Sequence, residues 1–146
     1  MGDNKDNTNK IMHLNMIQEV IGRFSKNSFT IKSWNITLLT AFIAYGLQSD
    51  ISEENILIVT IAFTLGFMFL DWYYLNLEKS YRNLYKAVNS IKDDSDIDFS
   101  MEFHRKTDEQ SDYKVNKTGL LFGISRPIIY MFYGVEIVFL ILFLII

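Results

Sequence analysis

Residues 56–91, ILIVTIAFTLGFMFLDWYYLNLEKSYRNLYKAVNSI, leave this chain few folds to choose from. The apolar half is long enough to cross a bilayer, because about 20 mainly apolar residues in helix match the hydrocarbon thickness. At Asp71 the character changes, and Trp72, Tyr73 and Tyr74 follow at once, the aromatic band expected where a helix leaves hydrocarbon for headgroups. Beyond it Glu78, Lys79, Arg82 and Lys86 alternate with Leu77, Tyr81, Leu84, Tyr85, Val88 and Ile91, which keep an apolar stripe at helical spacing. From Leu70 on no Pro or Gly interrupts the passage. The pattern predicts one helix that starts in a membrane and continues into the cytoplasm.

The remaining segments are read against that helix. Residues 1–10 are polar, so the expectation is a mobile tail without a cleavable signal, with targeting left to internal apolar helices. Leu14, Ile17, Ile21, Phe24 and Ser28 then recur at steps of three and four, an amphipathic helix too polar to span. Such a helix either lies on the membrane surface or packs against the soluble extension of the second span. The second arrangement is preferred, because its polar face carries few Lys and Arg. Residues 29–47 form a weakly hydrophobic first span, on which Ser33, Thr37, Thr40, Ala44 and Gln48 make a small and polar stripe. That stripe either faces protein or water, or its hydroxyls bond back to their own helix.

The connecting loop, 48–55, holds Asp50, Glu53 and Glu54 and no basic residue, whereas Lys and Arg flank the spans on the other side. The positive-inside rule therefore places the N-terminus and the central segment in the cytoplasm. In the second span Thr60, Thr64 and Asp71 share a face, and Lys32 at similar depth on the first span is the expected ion-pair partner of Asp71. In residues 92–118, Ile97, Phe99, Met101 and Phe103 alternate with polar residues, which fits one arm of a small β-hairpin or a disordered linker equally. The last segment is almost wholly apolar and opens with Ser125, Arg126 and Pro127, a helix start. Glu136 falls about halfway along it, where an ionisable group needs a partner or water, and Tyr133 is the expected donor.

The predicted architecture is an all-α membrane protein with three transmembrane helices, an N-terminal amphipathic helix and a second span that continues into the cytoplasm. Its boundaries are 1–27 for the tail and amphipathic helix, 28–77 for a transmembrane hairpin, 78–118 for the cytoplasmic helix with linker or hairpin, and 119–146 for the C-terminal transmembrane helix. The C-terminus is then expected at the outer face, periplasmic or extracellular.

No catalytic constellation is recognisable, and the chain has no cysteine for a thiolate nucleophile or metal site. His13 and His104 lie far apart and are expected at the surface. A net charge of -3 argues against a general nucleic-acid coat. Lys79, Arg82 and Lys86 form one basic face, with Arg105 and Lys106 as a second patch; they serve topology and headgroup attraction, or receive a phosphate-bearing signal. Thr37, Thr40, Thr60, Thr64 and Glu136 make sense as pore-lining groups only in a homo-oligomer, since three helices enclose no aqueous path. The competing account has them satisfy one another inside a bundle.

The run HLNMIQEVIGRFSKNSFTIKSW (13–34), FLDWYYLNLEKSYRNLY (69–85), DFSMEF (98–103) and the C-terminal apolar helix resemble small bacterial membrane proteins of anti-phage defence loci, in particular Hailong-type ion-channel effectors. The resemblance implies a tetrameric channel in the bacterial inner membrane, controlled by an oligonucleotide signal from a nucleotidyltransferase partner. It implies membrane depolarisation as the outcome, with no enzymatic activity and no cofactor. The rival expectation is a non-conducting membrane adaptor that anchors a soluble partner.

Overall fold

A computed structural model describes residues 7–48, 50, 52–102 and 127–145. Three α-helices make up most of it: α1 (Thr8–Gly46), α2 (Glu53–Ser90) and α3 (Pro127–Ile145), with a short 3-10 turn at Asp94–Asp96. The chain is all-helical among the described residues. One helix, Glu54–Ser90, is long and apolar enough to cross a membrane, and only 17% of its most apolar window is buried, unlike the core helix of a soluble protein. Pro127–Leu142 is apolar but shorter. The span expected at 29–47 does not stand alone, because it is the second half of α1.

The amphipathic helix and the first span are thus one rod of 39 residues. No proline interrupts α1, and Gly22 leaves open space where a Cβ would sit, so nothing forces a break. The polar run Lys26, Asn27 and Ser28 reads as a boundary in sequence, yet it continues the helix. Position 46, the last of α1, is a glycine for a steric reason: a Cβ there would clash with the Ile56 side chain of α2. The helix then closes through Leu47 N–H to Ile43 C=O at 3.0 Å, and α2 opens on the Ser52 carbonyl, which accepts from Ile56 N–H at 3.2 Å.

The fold comprises two compact units. Unit 1 is Met1–Ser25 with Asn76–Leu120, and unit 2 is Lys26–Leu75 with Leu121–Ile146. In unit 1, Ile17 of α1 packs with Leu84, Val88 and Ile91 of α2 and with Ile97, and Leu14, Ile21, Tyr81 and Tyr85 close around them. The amphipathic segment therefore packs on the second half of α2. Asp94 finishes α1, accepting from the Lys10 amide at 2.8 Å and the Asn9 amide at 3.2 Å, where a helix N-terminus favours a carboxylate. Lys10 Nζ in turn donates to Ile91 C=O at 2.8 Å, just past the end of α2.

Residues 97–102 carry the expected alternation without forming a strand. Ile97 is buried, Phe99 and Met101 pack on the unit 1 core, and the intervening side chains turn outward. Asp98 Oδ1 accepts from the Ser100 amide at 3.0 Å and Ser100 Oγ from the Glu102 amide at 3.3 Å, so donors a ladder would need are spent locally. Phe99 adds φ 54°, left-handed backbone that interrupts an extended run. The second arm expected at Tyr113 and Val115 lies outside the described residues, as do Arg105 and Lys106. His13 is fully buried, against the expectation of a surface histidine, because this segment covers it: Nε2 lies 3.1 Å from Ser100 C=O and the ring 5.5 Å from that of Phe99.

Candidate functional site

Two places concentrate polar groups in a way that calls for a functional account. The first is the interior of unit 2. Asn35, Thr60, Thr64 and Asp71 are each at most 1% exposed, while Phe29, Trp34, Ile58, Phe69, Val138 and Phe139 stand outside. Lys32 Nζ lies 2.5 Å from Asp71 Oδ2 and also donates to Ser28 Oγ at 2.9 Å. Ser28 Oγ donates to the other carboxylate oxygen of Asp71. Each member of the triangle thereby has two partners, the condition under which a buried charge is tolerable. The spacing Ser28 to Lys32 is one helical turn of α1, which aims both side chains at the same carboxylate.

A second buried contact ties α1 to α3. Asn35 Nδ2 reaches both oxygens of Glu136, at 2.8 and 2.7 Å. Tyr133, the donor expected from its spacing, instead directs its hydroxyl to Phe67 C=O at 3.4 Å and packs with Leu75 and Ile129. Thr60 bonds back to Ile56 C=O at 2.6 Å. The Asn35 amide is the residue that sequence reasoning missed. Its signal is faint: one asparagine in a weakly hydrophobic segment, whose partner is 101 residues away.

The expected pore-lining set does not come together in one protomer. Thr60 and Thr64 lie inside unit 2 and Glu136 is half-buried against Asn35. Thr37 and Thr40 stand on an exposed face of α1 with Ser33 and Ala44, Gln48 follows just past the helix end, and all five positions are exposed. The hydroxyls of Ser33, Thr37 and Thr40 each bond to the carbonyl four residues back, at 3.1, 2.9 and 2.8 Å. The stripe can therefore line water or meet another chain without an unsatisfied donor.

The second place is a groove of about 590 Å³ in unit 1, walled by α1 and α2. Lys79, Arg82, Tyr85 and Lys86 supply one wall, and Gln18, Gly22 and Ser25 belong to the other. Arg82 Nε donates to Glu78 Oε1 at 2.7 Å, and Ser25 Oγ donates to Glu78 Oε2 at 3.1 Å. Glu78 is itself buried, so one carboxylate joins the two walls behind the groove. Three cations at steps of three and four on a helix repel one another, and a buried acid among them offsets part of that cost. The second basic patch, Arg105 and Lys106, cannot be related to this groove, since both lie outside the described residues.

Among the described residues no group of three His, Asp or Glu is placed to hold a metal ion. No protein-family model, no curated protein and no solved structure matches the chain.

Proposed function

We propose that the chain is a bacterial inner-membrane protein that assembles into an ion channel, an effector of anti-phage defence gated by a nucleotide or oligonucleotide signal. In this reading unit 2 sits in the membrane through three crossings, unit 1 faces the cytoplasm, and α2, unbroken from Glu53 to Ser90, carries displacement from one to the other. The Lys and Arg asymmetry supports that orientation.

One observation carries the channel reading. The apolar-surfaced unit buries Asn35, Thr60, Thr64 and Asp71, yet leaves Ser33, Thr37, Thr40 and Ala44 outward along α1, with Gln48 exposed just past its end. A small and polar stripe on an otherwise apolar surface suits a wet axis shared by several copies better than acyl chains. The wall of the conduit then falls to this stripe, and Glu136, held by Asn35, ties α3 to α1.

Reconstitution in planar bilayers tests the reading. The parent chain should conduct, and Thr37→Val with Thr40→Val should reduce unitary conductance severalfold at unchanged thermal stability, because among the described residues each hydroxyl bonds only within its own helix. Unaltered current in the double variant removes the stripe from the pore.

The second reading, a non-conducting membrane adaptor, rests on a different observation: Lys32–Asp71 and Asn35–Glu136 are satisfied within one protomer and need no water-filled axis. Ion flux from liposomes separates the two. An adaptor stays silent at every protein density, whereas a channel leaks in proportion to assembled copies.

A further inference from the structure

We infer that the groove of unit 1 is a binding site for a phosphate ester, whose oxygens are held by Arg82 and Lys86 with Lys79 adding charge. The inference deepens the gated-channel reading by naming the chemistry of the trigger and depends on that reading only for the word trigger. Binding at the groove is a separate property from conduction.

The argument starts from Arg82. Its side chain is half-exposed, and an exposed arginine in a simple i,i+4 pair sweeps through many rotamers and contributes little. Here the partner is Glu78, a residue only 5% exposed, whose second oxygen is fixed by Ser25 from the facing helix. The Nε–H is therefore committed to a buried acid, and the terminal N–H groups are left to the groove that Arg82 lines. Orienting a guanidinium by a carboxylate behind it leaves a pre-set fork for phosphate oxygens. A guanidinium serving only as a topology signal has no use for such a support.

Charge and size agree. Lys79, Arg82 and Lys86 all line the groove and bring to it the sign of charge that a phosphate ester requires. A volume of about 590 Å³ suits a small-molecule site. At Gly22 nothing lies within 4 Å of where a Cβ would stand, so the α1 wall is recessed. The Tyr85 ring in the lining offers an apolar face for a base. A nucleotide and a phospholipid headgroup present the same oxygens, so both sources belong in the test.

Isothermal titration of the detergent-purified full chain uses three probes: adenosine monophosphate, adenosine, and mixed micelles containing phosphatidylglycerol. Adenosine monophosphate should bind at least about tenfold more tightly than adenosine, and Arg82→Gln or Lys86→Gln should each weaken it by about tenfold or more. Arg23→Gln, the same charge change at an exposed α1 position outside the groove, should leave affinity unaltered. Glu78→Gln decides between positioning and diffuse attraction: removing a negative charge strengthens a merely electrostatic contact, but should weaken one that needs Arg82 held. Arg82→Lys, which keeps the charge without the fork, provides the same decision should Glu78→Gln lose helix content. Binding of phosphatidylglycerol with this variant pattern, adenosine monophosphate remaining silent, assigns the phosphate to a headgroup. The site is overturned when neither phosphate probe binds, or when Arg82→Gln and Lys86→Gln retain parental helicity and parental affinity. A chain that binds but never conducts leaves the site standing and ends the channel reading, and the converse result separates them the other way.

Discussion

The two units are built from the same helices with opposite polarity. Unit 1 hides Ile17, Leu84, Val88 and Ile91 in an apolar core and turns Lys92, Glu102 and Asn89 outward. Unit 2 hides Asn35, Thr60, Thr64 and Asp71 and turns Phe29, Trp34, Phe69 and Phe139 outward. Both α1 and α2 change allegiance without a break, near Ser25 and Leu75. The lesson concerns what holds each half together. In unit 1, apolar burial does so at about 25 cal/mol per Å² of area removed from water. In unit 2, a surface of Phe, Ile and Val gains nothing from burial if its surroundings are equally apolar, so specificity passes to hydrogen bonds and the ion pair.

The comparison can be broken most sharply at Asp71. Asp71→Ala leaves Lys32 without its buried counter-charge and should cost about 3–5 kcal/mol, read by thermal unfolding in detergent. Lys32→Met with Asp71→Leu should recover most of that loss. A single variant as stable as the parent would show that the pair holds nothing.

Leu84→Ala comes next, at about 2–5 kcal/mol, since it opens a cavity in the unit 1 core. Amide hydrogen exchange should lose protection at Ile17 and Val88 while Thr64 and Ile129 keep theirs. Equal loss in both sets would mean that the units do not open separately.

Asn35→Ala strips Glu136 of its only described side-chain partner and should cost about 1–3 kcal/mol, relieved when Glu136→Gln is added. An additive double variant would uncouple the two residues. The smallest effect is expected for Asp94→Ala, about 1 kcal/mol, confined to faster exchange at Asn9 and Lys10.

Much of the inward face of unit 2 is legible in the sequence, and the reason is periodicity. Thr60, Thr64 and Asp71 share a helix face, and a carboxylate at that depth demands a cation, for which Lys32 is the nearest candidate. The basic face of Lys79, Arg82 and Lys86 is legible for the same reason. Its opposite wall is not, since nothing in Gln18, Gly22 or Ser25 announces a partner some 60 residues away. Ile97, Phe99 and Met101 illustrate a partial reading: alternation reports which side chains are buried, but Asp98 and Ser100 spend the backbone donors on their own turns. The join at Lys26 to Ser28 reads as a boundary because polarity changes there, although a change of surroundings does not require a change of conformation. Ser28, a polar residue at that join, is a ligand of Asp71.

The carboxylate of Asp94 on the first turn of α1 bears on how the chain matures. Lys10 must wait for a residue made 84 positions later before its amide is satisfied, and Lys10 Nζ waits similarly for the Ile91 carbonyl. At about 5–20 residues per second of synthesis, that interval lasts several seconds. The apolar stretch of α2 precedes Asp94 in the chain, so it leaves the ribosome before the first turn of α1 gains its carboxylate, and a nascent chain that lacks Asp94 would display a frayed leading turn.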